Sequence, residues 1–139
     1  MLVKDVMSRR LIMIAPKEMV FAAVRLMVEN NISGVVVEDA KKAVGIITMK
    51  DIIRRVVAAE RDIYRTQVAE VMSTPVQTIH QLTALERAAA WMGEHKVKRL
   101  VAVDDNNKAV GIVTVMDIVS KLPAMVDVMF QTWVKPDWR

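Results

Sequence analysis

The sequence predicts an α+β fold made of two copies of one β-α-β-β-α unit. The octapeptide GIITMKDI at 45–52 returns as GIVTVMDI at 111–118, and the tripeptide VMS occurs at 6–8 and again at 71–73. Between these landmarks, strand-type and helix-type apolar patterns follow in the same order in both halves of the chain. One copy has too little interior to be stable alone, so we expect the two to pack face to face as a pseudo-twofold pair with a cleft between them.

Each copy is predicted to contain a short extended segment, a helix of about 15 residues, a β-hairpin and a second helix. The extended segments of the first copy are Leu11–Ile14, Ile32–Val37 and Val44–Thr48, and those of the second copy are Val76–Ile79, Val97–Val103 and Val110–Thr114. The core-facing positions of the first helices match between copies: Val20 with Leu85, Ala23 with Ala88, Leu26 with Trp91, and Met27 with Met92. The second helix is predicted to begin near Met49 and near Val115.

The two copies are predicted at residues 1–62 and 63–122, followed by an extension at 123–139. The VMS tripeptides are 65 residues apart and the octapeptides 66, so the second copy has gained one residue, which we expect in its hairpin turn. The extension has no counterpart in the first copy and carries Phe130, Trp133 and Trp138. Such a cluster of aromatic side chains needs a surface to bury it, either on its own chain or dimer partner, or on a regulated protein.

Composition excludes several classes of function. The 139 residues include no cysteine, which excludes disulfides, thiolate zinc sites and a thiol nucleophile, and the two histidines lack a metal-ligand spacing. The net charge of +4 comes from lysines and arginines scattered along the chain, which does not favour nucleic-acid binding. No apolar run is long enough for a transmembrane helix, and the amino terminus is charged too early for a secretory signal. We expect a soluble, cytoplasmic protein.

The octapeptide allows two interpretations. In the structural one, Thr48 or Thr114 is the N-cap of a helix and the acid three residues later, Asp51 or Asp117, lies in its first turn. In the functional one, the same carboxylate accepts hydrogen bonds from two neighbouring ribose hydroxyls, the threonine adds a contact, and the helix start favours an anion. The glycine that opens each octapeptide leaves room for backbone or ligand. Repetition of the motif in register favours the functional interpretation.

The whole pattern of VMS, hairpin and octapeptide, which covers residues 1 to about 122, resembles a tandem pair of CBS domains. The family is named after cystathionine β-synthase, and the pair is often called a Bateman module. The resemblance implies a regulatory module that binds an adenosine-containing ligand in the cleft, with Thr48, Asp51, Thr114 and Asp117 holding the ribose. It also implies a homodimer formed through the helices.

The two copies differ just before the hairpin. The second copy reads HKVKRLVAV where the first reads NNISGVVV, so Lys98 matches Ser33 and Arg99 matches Gly34. In members of the family with bound nucleotide, basic residues at this point often contact phosphate, and we expect Arg99 to do so, with Lys98 as the lesser candidate because strand alternation turns one of them away. Alternatively, Lys98 and Arg99 belong to an ordinary solvated strand edge and contact no ligand. We therefore expect Asp117 to mark the main nucleotide site and the site at Asp51 to be weak or empty.

The resemblance further implies that adenine lies against the short extended segments. The candidate residues are Ile12, Ile14, Thr78, Ile79 and His80. The predicted function is a non-catalytic, energy-sensing regulatory module that binds AMP, with ADP or ATP as further nucleotides, and signals to a partner protein. The alternatives are a sensor of S-adenosylmethionine or methylthioadenosine, and a protein- or nucleic-acid-interaction module whose clefts are vestigial. An enzyme is not expected, because the sequence offers no nucleophile with a base, no metal constellation and no phosphate-binding glycine loop.

Overall fold

The computed structural model describes residues 1–122, which form two compact units, each with its own three-stranded sheet and hydrophobic core. The predicted α+β class and the repetition are confirmed. The first-repeat unit spans Ile12–Val76, and the second-repeat unit combines Met1–Leu11 with residues 77–122. The extension at 123–139, with Phe130, Trp133 and Trp138, lies outside the described residues.

The elements follow the same order in each unit. In the first-repeat unit they are β1 (Met13–Ile14), α2 (Val20–Asn30), β2 (Gly34–Asp39), β3 (Lys42–Thr48), α3 (Met49–Ile52), a π-helical turn (Ile53–Val57) and α4 (Val68–Val71). In the second-repeat unit they are α1 (Val3–Val6), β4 (Thr78–His80), α5 (Leu85–His95), β5 (Arg99–Val103), β6 (Ala109–Thr114) and α6 (Val115–Lys121). The sheet orders are β1-β2-β3 and β4-β5-β6, with a parallel first pair and an antiparallel second pair.

The boundaries of the compact units differ from those of the predicted repeats at 1–62 and 63–122. Each VMS segment belongs to the unit that contains the octapeptide of the other repeat. The first VMS belongs to the second-repeat unit, where Ser8 and Ile112 each donate a backbone N–H to the other's carbonyl at 2.9 Å. The second VMS belongs to the first-repeat unit, where Ser73 pairs in the same way with Ile46. Each VMS thus lies beside the hairpin strand of the octapeptide from the other repeat.

The glycine at the start of each octapeptide allows the VMS segment to lie this close to the hairpin strand. A Cβ atom at Gly111 would lie 2.6 Å from Met7 Sδ and 2.9 Å from the Ser8 carbonyl oxygen. A Cβ atom at Gly45 would lie 2.8 Å from Met72 Sδ and 3.0 Å from the Ser73 carbonyl oxygen. The room predicted at these glycines is therefore filled by the backbone and methionine of the VMS segment.

The two long helices bury three of the four predicted residue pairs and are shorter than predicted. The fourth pair was wrong as a core pair, since Leu26 is only half-buried and Trp91 is 40% exposed. In α2 the residues Val20, Ala23 and Met27 are buried, and in α5 the equivalent Leu85, Ala88 and Met92 are buried. Both helices have 11 residues rather than about 15, because the chain turns into the left-handed conformation at Asn31 and at Lys96. The second helices begin at Met49 and Val115, as predicted.

The hairpins confirm where the second copy gained its residue. Val37 pairs with Gly45 in the first hairpin, whereas Ala102 pairs with Gly111 in the second, so the second loop is one residue longer. Both hairpins have a register shift just after these pairs, before the turn. The insertion lies at the tip of the hairpin, and the octapeptides remain in equivalent positions at its other end.

Candidate functional site

Thr48 and Asp51 form a closed capping box where β3 ends and α3 begins. The backbone N–H of Thr48 and its Oγ1–H both donate to Asp51 Oδ2, at 2.9 Å and 3.1 Å, and Thr48 Oγ1 accepts from the Asp51 N–H at 3.1 Å. Thr114 and Asp117 repeat the arrangement at the β6–α6 junction, with distances of 2.8, 3.0 and 3.2 Å. The structural interpretation of the octapeptide is correct in both copies. The hydrogen bonds from the threonine occupy Oδ2 of each aspartate and leave Oδ1 for other partners.

The two aspartates differ at Oδ1. Asp51 Oδ1 accepts a hydrogen bond from Ser73 Oγ at 2.8 Å and lies 3.9 Å from an Arg55 guanidinium nitrogen. Arg55 also donates to the carbonyl oxygens of Val71 and Met72, at 3.0 and 2.9 Å. These contacts leave Asp51 only 8% exposed. The carboxylate of the first repeat is therefore engaged on both oxygens by its own chain.

Asp117 is the more open carboxylate. Within residues 1–122 its Oδ1 accepts no hydrogen bond, and the side chain is only partly buried. Ser8 occupies the place that Ser73 has in the other unit and makes the same backbone bridge, but it is exposed and does not bond to Asp117. At the position of Arg55 the second repeat has Lys121, which is exposed. The repeats thus share a backbone arrangement but differ in what surrounds Oδ1.

Arg99 lies on β5, the strand that pairs with the β6 strand ending at Thr114. Arg99 is the direct partner of Thr114 in the antiparallel β5–β6 pair, and Gly34 is the direct partner of Thr48 in β2–β3. Directly opposed residues of an antiparallel pair extend their side chains from the same face of the sheet. Lys98 precedes β5 and is exposed, and its carbonyl oxygen accepts the Val115 N–H at 3.0 Å. Only the second repeat has a cation opposite its capping threonine.

The comparisons with known proteins agree with this repeated architecture. The family model described as CBS domain matches the chain twice, at residues 3–58 and 68–124. The chain belongs to the CBS-domain family. It is a tandem CBS pair, which is a regulatory module, and the resemblance drawn from VMS and the octapeptides is confirmed.

The relatives of this CBS pair range from a protein of similar length to much longer ones. The CBS domain-containing protein YhcV of Bacillus subtilis is 35% identical over 116 residues, which cover 84% of this chain and 81% of YhcV. The chain spans less of other curated relatives, 64% of protein MK0525 of Methanopyrus kandleri and 30% of protein MJ1232 of Methanocaldococcus jannaschii. Inosine-5'-monophosphate dehydrogenase of B. subtilis is 35% identical over 109 residues, or 21% of that enzyme. The module therefore also occurs in an enzyme chain.

Solved structures show the same fold. The conserved CBS domain protein TA0289 of Thermoplasma acidophilum has a TM-score of 0.85 at 28% identity, covering 95% of this chain and 75% of that one. The CBS pair of protein MJ0100, solved in complex with 5'-methylthioadenosine and S-adenosyl-L-methionine, has a TM-score of 0.80 at 29% identity, covering 89% and 97%. The hexameric CBS-CP12 protein of bloom-forming cyanobacteria has a TM-score of 0.79 at 26% identity, covering 87% and 67%.

The residues predicted to contact adenine lie on the first strand of each sheet. In this CBS pair, Ile14 is in β1 and Ile12 just precedes it, with the Ile12 carbonyl accepting the Val36 N–H at 3.3 Å. Thr78, Ile79 and His80 form β4, parallel to β5. The structure thus places Ile12 and Ile14 in the unit of Asp51, and Thr78–His80 in the unit of Asp117. Their contacts with adenine stay a prediction.

His80 is oriented by its own chain. Its Nδ1 accepts the Leu82 N–H at 3.1 Å, so its Nε2 carries the proton that is shared with Asp105 at 2.7 Å. Both ring nitrogens are in use, which leaves His80 its ring face for any contact with a base. His95 bonds to the Trp91 carbonyl oxygen and stacks on the Trp91 ring. Across residues 1–122 no three His, Asp or Glu side chains converge as metal ligands.

Two residues of the site escaped the sequence analysis. The repeat of VMS is evident in the sequence, but nothing in its pattern links the serine to the octapeptide of the other copy. Arg55 was not singled out, although it is four residues after Asp51 and is replaced by Lys121 in the second repeat. A comparison of the residues one turn after each aspartate shows that difference.

Within residues 1–122, no helix has both the length and the hydropathy that a membrane-spanning helix requires.

Proposed function

We propose that this CBS pair is a non-catalytic regulatory module that binds an adenine nucleotide, AMP in the first place, beside Thr114 and Asp117. The observation that carries the proposal is the open Oδ1 of Asp117 next to a strand that presents Arg99 opposite Thr114. A carboxylate oxygen with both lone pairs available can accept the two adjacent hydroxyls of a ribose. The complex of MJ0100 with two adenosyl ligands supports an adenosyl ligand for this chain as well.

Arg99 favours a phosphate at the 5' end of that ribose. The guanidinium is planar and donates paired hydrogen bonds that match phosphate oxygens, whereas a sulfonium group is itself cationic and gains nothing from an arginine. This argument ranks AMP above S-adenosylmethionine, and ADP and ATP remain within the same class. Lys98 lies outside β5, so we expect it to attract the phosphate only by long-range electrostatics and not by direct contact.

The site at Asp51 is proposed to be weak or empty. Its carboxylate already accepts the Ser73 hydroxyl, and Gly34 stands where the second repeat has Arg99. A nucleotide there would have to compete with an internal hydrogen bond and would find no cation at this strand position. One main site per chain is the expected result.

The module is proposed to act on a partner protein rather than on a substrate. Within residues 1–122 the two histidines bond to Asp105, Leu82 and Trp91, so neither activates a hydroxyl nucleophile. Binding changes a conformational equilibrium only to the extent that the ligand prefers one state, so the regulated protein must distinguish the liganded form. A cytoplasmic setting, where adenine nucleotides are abundant, is part of the proposal.

We also propose that the protein forms a homodimer through its helices. On the first-repeat unit, large apolar surfaces are exposed by Val28 of α2, Met49 of α3, and Ile53 and Val57 of the π-helical turn. The exposed fractions are 76% for Val28, 51% for Met49, 57% for Ile53 and 62% for Val57. Val28, Met49 and Ile53 border an apolar groove that is lined also by Val24, Met27, Ile32 and Ile52. The hexameric relative CBS-CP12 supports self-association of such pairs.

Calorimetry and thermal unfolding with a panel of adenosyl ligands test the ligand proposal. AMP at a hundred times its dissociation constant should raise the Tm by roughly 5–10 °C, and about one AMP should bind per chain. Asp117→Ala should abolish binding and Asp51→Ala should retain it. Two equal sites, or binding unchanged by Asp117→Ala, would contradict the proposal. A larger response to S-adenosylmethionine or methylthioadenosine would favour the adenosyl-sensor alternative, and no response to any ligand would favour an interaction module.

A further inference from the structure

Asp51 has too few acceptor positions left for a ribose. A carboxylate offers about four lone-pair positions, two on each oxygen. Asp51 Oδ2 accepts two hydrogen bonds from Thr48, and Oδ1 accepts one from Ser73 Oγ at 2.8 Å. One position remains, on the oxygen that also faces Arg55 at 3.9 Å. Two adjacent ribose hydroxyls need two positions, so they cannot both be accepted while Ser73 is bonded.

Asp117 has the two positions that Asp51 lacks. Its Oδ2 accepts the same two bonds from Thr114, and in the described part of the chain its Oδ1 accepts none. The difference arises from one hydroxyl, since Ser8 and Ser73 are held by the same backbone bridges to Ile112 and Ile46. The two repeats therefore compare a carboxylate whose Oδ1 accepts a side-chain hydrogen bond with one whose Oδ1 accepts none in the described residues.

We propose that the Ser73 hydroxyl is an internal substitute for a ribose hydroxyl and keeps the first-repeat site closed to ribonucleosides. This inference rests on the proposed function, since it assigns the residue that decides which repeat binds. The closed site follows from competition for one oxygen atom, so the absence of a cation opposite Thr48 is only a second contribution. Ser73 is thus a residue that determines the stoichiometry and selectivity of the pair.

The backbone around Ser73 explains why its hydroxyl stays in place. Ser73 donates to the Ile46 carbonyl at 2.8 Å and accepts from the Ile46 N–H at 3.1 Å. Arg55 holds the carbonyl oxygens of the two preceding residues, at 3.0 and 2.9 Å. Because these contacts use backbone atoms and Arg55, removal of the hydroxyl alone should leave the segment in position and free one acceptor position on Asp51.

The decisive experiment uses Asp117→Ala as a background in which only the first-repeat site can bind. Adenosine is the probe, measured by calorimetry, because it has the ribose hydroxyls and needs no cation. Asp117→Ala alone should bind adenosine at least tenfold more weakly than the double variant Asp117→Ala/Ser73→Ala, which should bind one adenosine per chain. Two matched controls should restore nothing: Ser8→Ala, which removes the equivalent unbonded hydroxyl, and Ser73→Thr, which keeps a hydroxyl.

The remaining outcomes separate this inference from the proposed function. If the unaltered protein binds adenosine or AMP but Ser73→Ala opens no second site, the inference is wrong and the proposed function stands. If the unaltered protein binds no ligand but Ser73→Ala alone binds adenosine, the inference stands and the site at Asp117 is wrong. If no variant binds, both are wrong. Circular dichroism of each variant confirms that it is folded, and 2'-deoxyadenosine should bind the opened site at least tenfold more weakly than adenosine.

Discussion

Arg99 lies directly opposite Thr114 in the antiparallel β5–β6 pair, and the matching position opposite Thr48 is Gly34. The two capping threonines therefore have equivalent positions in their hairpins, but only Thr114 has a charged residue opposite it. A cation opposite one threonine and a glycine opposite the other would add to the proposed difference between the two sites. The same register ranks Arg99 above Lys98, which precedes the strand.

Arg99→Ala should weaken AMP binding by roughly 10–100-fold and leave adenosine binding within about twofold, because the arginine is expected to contact only the phosphate. Lys98→Ala is the matched control, and it should leave both affinities nearly unchanged at 0.15 M salt, where exposed charges are largely screened. Titration calorimetry of each variant with both ligands measures the difference. Equal losses for AMP and adenosine would show that Arg99 acts on the ribose or on the fold instead.

Arg55→Ala should lower the free energy of unfolding by roughly 1–1.5 kcal/mol, because two carbonyl oxygens lose a charged donor that lies partly in solvent. Arg54→Ala provides the control, since the Arg54 side chain is exposed and forms no hydrogen bond or ion pair with the described residues. Urea unfolding followed by circular dichroism gives both values. If the two variants are equally stable, the contacts of Arg55 with Val71 and Met72 contribute nothing measurable.

Gly111→Ala should destabilise the protein by about 1–3 kcal/mol, because the new Cβ atom meets Met7 and the Ser8 carbonyl and the surrounding structure has to shift. Gly45→Ala should cost less, since its nearest contacts are longer by about 0.1–0.2 Å. Thermal unfolding of the two variants tests the ranking. The cost of Gly111→Ala should fall when it is combined with Met7→Ala, and an unchanged cost would place the strain on the Ser8 backbone alone.

The sequence predicted the parts of this structure that depend on local pattern. Strand and helix order, the starts of α3 and α6, the one-residue insertion in the second hairpin and the alignment of Arg99 with Gly34 all follow from two repeats read side by side. The bond of Ser73 to Asp51 did not, because the two residues are 22 positions apart and their contact depends on which edge strand each VMS joins. Hydrophobic periodicity and turn residues do not specify which edge strand each VMS segment joins.

The same limit explains the exchanged segment and the short helices. An edge segment satisfies its backbone groups equally well on either repeat, so nothing local in Met1–Leu11 shows that it belongs with the second repeat. The four-residue helices α1 and α4 are too short to show an apolar period, and the π-helical turn at Ile53–Val57 has no simple sequence signal. Tertiary contacts decide all three features.

Glu70 should make the stability of the protein depend on pH in the acidic range. The backbone N–H of Gln67 and then the side chain of Arg61, 2.6 Å away, lower the pKa of Glu70 below its ordinary value of 4.5. A carboxylate with a lowered pKa in the folded state adds stability that is present above pH 4.5 and is lost as the pH falls through the folded-state pKa. Glu70→Gln should therefore lower the Tm at neutral pH and flatten the fall in Tm below pH 4.5. Arg61→Gln, which leaves the Gln67 contact, should give an intermediate profile, and parallel profiles for Glu70→Gln and the unaltered protein would contradict this role.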